Sequence, residues 1–207
     1  MTTAQLKAQK TTWNRARVLF LFVSATYLAS SFTFAQTSTP PLAKPQQPVA
    51  AEKNPAGDIP DNQAFVEFKS PLGFSVKVPE GWARREIPGG VSFSDKYNHV
   101  QVLVSSKVSA PTLTSLKANE VAALVKSPNA IRVTGIKQIG LPAGSAFVVS
   151  YGENSDLNAV TNKAVRLDNQ RYYFWNAGKL AVLTLSAPAG ADNVDQWQLM
   201  VKSFAWR

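Results

Sequence analysis

The chain has 207 residues, 45% of them hydrophobic, with eleven Phe, five Trp and a formal charge of +9. That length holds one ordinary domain with appendages, and the hydrophobic share is that of a globular protein. Cysteine is absent, which excludes disulfides, thiolate catalysis, zinc–thiolate sites and lipid attachment at an N-terminal Cys.

The charge is unevenly spread. Four of the 22 basic residues, Lys7, Lys10, Arg15 and Arg17, precede Gln36 with no acid among them, leaving 18 basic against 13 acidic residues beyond. No basic run exceeds Arg84-Arg85, so the surface lacks the positive stripe that nucleic-acid binding requires. No Asn-x-Ser/Thr sequon is present either.

Residues 18–34 follow the four cations as seventeen residues without a charge. A cationic start, an apolar stretch and small residues at its end make a secretory signal. Thr33 and Ala35 supply the small side chains around a cleavage point, which predicts a signal over 1–35 and a mature start at Gln36. The competing reading is an uncleaved anchor, for which the stretch falls short of the roughly 20 residues that span a bilayer. Membrane association through this segment follows in that case. Residues 36–63 then carry Pro40, Pro41, Pro45, Pro48, Pro55 and Pro60. Proline fixes φ and removes a backbone donor, so this stretch is expected as an extended, solvated, disordered linker.

From residue 64 to 207 the pattern is that of one folded domain. Short β-prone runs at 64–68 and 73–78 are split by Ser70-Pro71-Leu72-Gly73, and Phe74, Val76 and Val78 alternate with polar residues. Turns at Pro79-Glu80-Gly81 and Pro88-Gly89-Gly90 bracket Trp82, and strands are expected at 91–94 and 99–107. Ala118, Val121, Ala122 and Val125 stand at i, i+3, i+4 and i+7, which predicts a helix with one apolar stripe, ended by Ser127-Pro128-Asn129. Strands resume at 131–141, 146–151, 163–167, 171–176 and 180–186, with hairpin signals at Asp168-Asn169 and Asn176-Ala177-Gly178. A last helix is expected to start at Asp192 as N-cap, with Val194, Trp197, Met200, Val201 and Phe204 facing inward. The fold class is α+β, a mainly antiparallel sheet sandwiched by helices.

Laid out in order, these residues resemble the PsbP-like family, and its bacterial branch in particular. The series runs from Gly73-Phe74-Ser75-Val76 through Val78-Pro79-Glu80-Gly81-Trp82 to Gly89-Gly90-Val91-Ser92-Phe93-Ser94-Asp95. It ends with Gly190-Ala191-Asp192-Asn193-Val194, Trp197 and Ser203-Phe204-Ala205-Trp206. The resemblance covers about residues 65 to 207. It implies an antiparallel sheet between helices, export across a membrane and no enzyme activity. Some members are associated with calcium or manganese.

General acid–base chemistry most often uses histidine, and His99 is the one histidine. No Gly-x-Ser-x-Gly elbow, P-loop or Gly-x-Gly-x-x-Gly accompanies it, so no catalytic residues are assigned. Asp95 and His99, with Asn98 between them, form the best polar constellation. A carboxylate and an imidazole suit a divalent cation, but a structural site wants about four ligands; the plain alternative is a hairpin loop satisfying its own backbone donors. Arg84, Arg85 and Asn98 are the candidate partner contacts; the two arginines suit an acidic partner or anionic headgroups, or simply guard a solvated strand edge. The aromatic run Tyr172-Tyr173-Phe174-Trp175 is expected to alternate between two buried faces.

The resulting expectation is an exported, non-catalytic module acting through contacts with a protein or envelope partner. The alternatives are a photosystem II accessory protein with calcium or manganese in a thylakoid lumen, and a small exported hydrolase.

Overall fold

The computed structural model describes residues 45–53 and 56–207. The expected signal over 1–35 and the first part of the linker lie outside these residues. Among the described residues ten strands form two antiparallel sheets. The smaller joins β1 (Phe65–Ser70), β2 (Phe74–Pro79) and β10 (Ala205–Trp206) in the order β1-β2-β10. The larger joins β3 (Ala83–Ile87), β4 (Gly90–Asp95), β5 (Asn98–Ser106), β6 (Arg132–Leu141), β7 (Gly144–Asn154), β8 (Arg166–Asn176) and β9 (Lys179–Pro188) in the order β3-β4-β5-β9-β8-β7-β6. Two helical segments complete the α+β architecture, one within residues 113–124 and one at Val194–Ser203.

Alternation explains the layering. Val100 and Val102 of β5, Tyr172 and Phe174 of β8, and Leu183 and Leu185 of β9 face one side of the large sheet. There they meet Phe74, Val76 and Val78 of β2 and Met200, Val201 and Phe204 at the end of the C-terminal helix. Residues of the opposite parity, Tyr173 of β8, Val149 of β7 and Leu180 of β9, face the other side and pack with Leu116 of the first helix. The aromatic run of β8 is thus divided between two cores, as a period of two requires.

Three local readings differ from the sequence expectation. The first helix is α-helical at Leu113–Ser115, π-helical over Leu116–Val121 and α-helical again at Ala122–Leu124. In a π segment residues five apart share a face, so Leu116, Val121 and Leu124 turn inward, while Ala118 is exposed and Val125 is half exposed. Asp168-Asn169 makes no hairpin: both lie inside β8, with Asn169 opposite Tyr151 and Ser186. The C-terminal helix is preceded by Asn193, not capped by Asp192, and Val194 points to solvent. By contrast, the Ala177-Gly178 turn is a two-residue hairpin with positive φ at both positions.

The described part of the proline-rich stretch is extended but not free. Gln46 N–H donates to the Pro128 carbonyl at 2.7 Å, and Asn154 Nδ2 donates to the Gln47 carbonyl at 2.8 Å. Ile59 is buried, its N–H donates to Asn193 Oδ1 at 2.6 Å, and Asn193 Nδ2 donates to the Gly57 carbonyl at 2.9 Å. Prolines lack donors, but the residues between them do not, and two buried asparagines supply their partners. Of the stretch expected as a solvated spacer, residues 46–49 and 57–59 are therefore held against the domain, while most of the other described residues in it are exposed. Among the described residues no helix is long and apolar enough to cross a membrane.

Candidate functional site

The register of the β4–β5 hairpin decides the fate of the polar constellation. Asp95 pairs with Asn98, and Ser94 pairs with His99. Directly opposed residues share a face and adjacent ones do not, so Asp95 and His99 stand on opposite faces of the sheet. They cannot hold one cation between them. Asn98 is buried on the inner face, where its Oδ1 lies 3.5 Å from Asn193 Nδ2, so it offers no surface for a partner. Among the described residues no three His, Asp or Glu side chains cluster as metal ligands do.

Arg84 and Arg85 are likewise divided. Arg84 sits over the Phe68 ring at 5.7 Å and 3.6 Å from Glu86, in a solvent-exposed pair that adds little. Arg85 faces the other side, opposite Ser92. Both belong to β3, the edge strand of the large sheet, where charge discourages edge-to-edge pairing.

His99 leads to a different site. On its face of the sheet, cross-strand pairing lines up His99, Ser186, Asn169 and Tyr151 in one row across β5, β9, β8 and β7. The adjacent row is Gln101, Thr184, Arg171 and Val149. The first helix covers the apolar part of this face. The polar part floors a concavity of about 410 Å³, rimmed by Lys96 and Tyr97 of the β4–β5 turn and by Asn129 and Asp156.

Its chemistry is unusual for a sheet interior. Thr184, Ser186 and Asn169 are all buried, and burying polar groups without partners is costly. Arg171 Nε donates to Thr184 Oγ1 at 3.2 Å, and its guanidinium stands 5.5 Å from the centre of the Tyr151 ring. Arg171 takes part in no ion pair among the described residues. Asn169 is 2% exposed, and neither its Oδ1 nor its Nδ2 stands in good hydrogen-bond geometry to a partner, although the Glu153 carboxyl, which lines the same concavity, is near enough to be drawn down by the amide. Such a group costs the fold about 1–3 kcal/mol.

The electrostatics fit a half-enclosed pocket. Burial pushes the Tyr151 hydroxyl up to about 12, against the opposing pull of Arg171. Burial also raises the Glu153 carboxyl, again opposed by Arg171. Burial holds the His99 imidazole below its ordinary value of 6.5. The folded chain therefore binds fewer protons at His99 than the unfolded chain as pH falls through that value. The contribution of His99 to stability is retained above 6.5 and declines on acidification below it.

The sequence carried a signal for this site that turn chemistry masked. Asn169, Arg171, Thr184 and Ser186 are polar at alternate positions of β8 and β9, and on β9 the opposite face, Leu183, Leu185 and Ala187, is apolar. His99 alone was singled out, and it sits at the end of one row.

No protein-family model matches the chain, and no curated protein is similar to it in sequence. Solved structures do match. Cyanobacterial PsbP (CyanoP) from Synechocystis superposes with a TM-score of 0.51 at 16% identity, over 73% of this chain and 99% of that one. The Ran-binding protein Mog1p of Saccharomyces cerevisiae gives a TM-score of 0.46 at 13% identity, over 70% of this chain and 96% of its own. LpqN of Mycobacterium tuberculosis, a protein involved in cell envelope biogenesis, gives 0.43 at 13% identity, over 70% and 91%. The likeness to cyanobacterial PsbP, over nearly all of that protein, shows that this chain has the PsbP-like fold.

Proposed function

We propose that the chain is an exported, non-catalytic binding module that engages its ligand through the polar end of the large sheet. The observation that carries this reading is Asn169, a buried amide with both atoms unpartnered on the floor of a concavity. Folding gains nothing from that arrangement, whereas a ligand that completes the hydrogen bonds does. A binding role also fits the chemistry around His99. Its cross-strand neighbours are Ser94 and Ser186, and its row holds no carboxylate of the kind that orients the imidazole in a Ser-His-acid relay. Export rests on the cationic and apolar N-terminal pattern.

A photoreactive residue in place of Gln101, introduced in the cells that make the protein, tests the site. Position 101 lines the concavity, and Val160, 93% exposed on the β7–β8 loop, serves as the control position. The expected result is an adduct from 101, absent from 160 and lost when Arg171→Gln is added. Equal labelling at both positions, or none at 101, would remove the site from consideration. The N-terminal peptide of the same material reports export: a start at Gln36 in an envelope or secreted fraction is expected, and an uncleaved chain in the cytosol contradicts it.

A further inference from the structure

The concavity also indicates what kind of molecule fits it, given that it is the binding site. Arg171 presents a guanidinium whose Nε is held by Thr184 and whose remaining N–H groups lie beyond ion-pair distance of any carboxylate among the described residues, with Glu153 of the same lining within its field but not in contact. A planar fork of donors matches a carboxylate with two parallel hydrogen bonds. One position along the sheet, Asn169 offers an unpartnered donor and an unpartnered acceptor together. A carboxylate or phosphate alone answers the donor and leaves the acceptor orphaned. A hydroxyl answers both, because it donates and accepts. Ser186, opposite Asn169, and Gln101, beyond Thr184 in the row of Arg171, extend the same mixed character. Tyr151, the ring in the row, is 2% exposed and beneath Arg171, and the one exposed tyrosine of the lining, Tyr97, stands at the rim.

We propose that the Asn169–Arg171 pocket binds a small hydroxylated carboxylate of the sugar-acid class, with its carboxylate on Arg171 and its hydroxyls on Asn169. The adjacent positions 169 and 171 project from the same strand face about 7 Å apart, a separation that one six-membered sugar acid spans. A sugar acid reaches an exported protein free or as part of a polysaccharide. The chemistry is shared, and the assay separates the two.

Isothermal titration of the full chain with D-glucuronate, glucose, acetate and inorganic phosphate tests the assignment. Glucuronate is expected to bind, with glucose and acetate each weaker by about 10-fold or more, since each lacks one of the two required groups. Arg171→Gln is expected to weaken glucuronate about 10- to 100-fold, as loss of hydrogen bonds to a charged group does. Arg171→Lys keeps the charge and loses the fork, and a partial loss there, with an unchanged far-ultraviolet spectrum, separates recognition from misfolding. A trigalacturonate that binds more tightly than the monomer assigns a polysaccharide source; equal affinity assigns the free acid. Phosphate binding more tightly than glucuronate, or acetate binding equally well, overturns the sugar-acid assignment. So does the absence of glucuronate binding; the broader reading then stands or falls on the Gln101 adduct.

Discussion

Phe204→Ala is expected to cost about 3–5 kcal/mol, the range for emptying a buried aromatic site. The Phe204 ring is 1% exposed, stacks on Phe174 at 4.3 Å and on Phe74 at 5.8 Å, and meets Trp206 edge-on at 5.5 Å. It therefore ties the C-terminal helix to both sheets at once. Ordinary domains have only about 5–15 kcal/mol in total, so the loss consumes a large share of the stability. Urea unfolding followed by tryptophan fluorescence measures it; a midpoint displaced by under 1 kcal/mol would show that the two sheets are not held through this ring. Phe204→Leu fills most of the volume and is expected to lose roughly half as much.

The second large effect is expected at Asn193. Its side chain accepts from Ile59 N–H and donates to the Gly57 carbonyl, both in a buried setting, while Gln196 Nε2 donates to the Ile59 carbonyl at 3.1 Å. Asn193→Ala orphans two backbone groups of the N-terminal strap, the residues 46–49 and 57–59 held against the domain. Each orphan costs about 1–3 kcal/mol, so a total of about 2–6 kcal/mol is expected. The loss is local in origin, because Ile59 can leave the core and rehydrate its backbone. Limited proteolysis distinguishes this from global unfolding: cleavage around residues 56–63 is expected to accelerate before the domain itself is cut. Unchanged protection of that segment would mean that Gln196 and the burial of Ile59 hold it without Asn193.

Much of the fold was legible because it follows from short-range rules. The alternation of Phe74, Val76 and Val78, the Asn176-Ala177-Gly178 turn and the inward Met200, Val201 and Phe204 all stand where period and turn chemistry place them. Legibility failed where a local rule met a different demand. The apolar stripe of the first helix was read at 3.6 residues per turn, and the π segment reset it to Leu116, Val121 and Leu124. The strap was read as solvent-exposed because proline counts say nothing of distant asparagines such as Asn154 and Asn193. Asp95 and His99 looked adjacent in sequence, and only the register separates their faces. Asn169 was read as a turn residue, since Asp-Asn favours turns, yet it occupies the middle of a central strand with its amide unpartnered. Departures from local consistency concentrate at functional positions, and that departure falls in the pocket.

Asn169→Leu is the most direct test of the central claim, that the floor of this pocket is kept unsatisfied for a ligand. Leucine has nearly the same shape and no polar atoms, so it removes an orphaned amide without opening a cavity. The account predicts a chain more stable by about 1–3 kcal/mol in urea unfolding with an unchanged slope, together with loss of the Gln101 adduct. A substitution that destabilises the chain and leaves that adduct intact would make Asn169 a structural residue and contradict the claim.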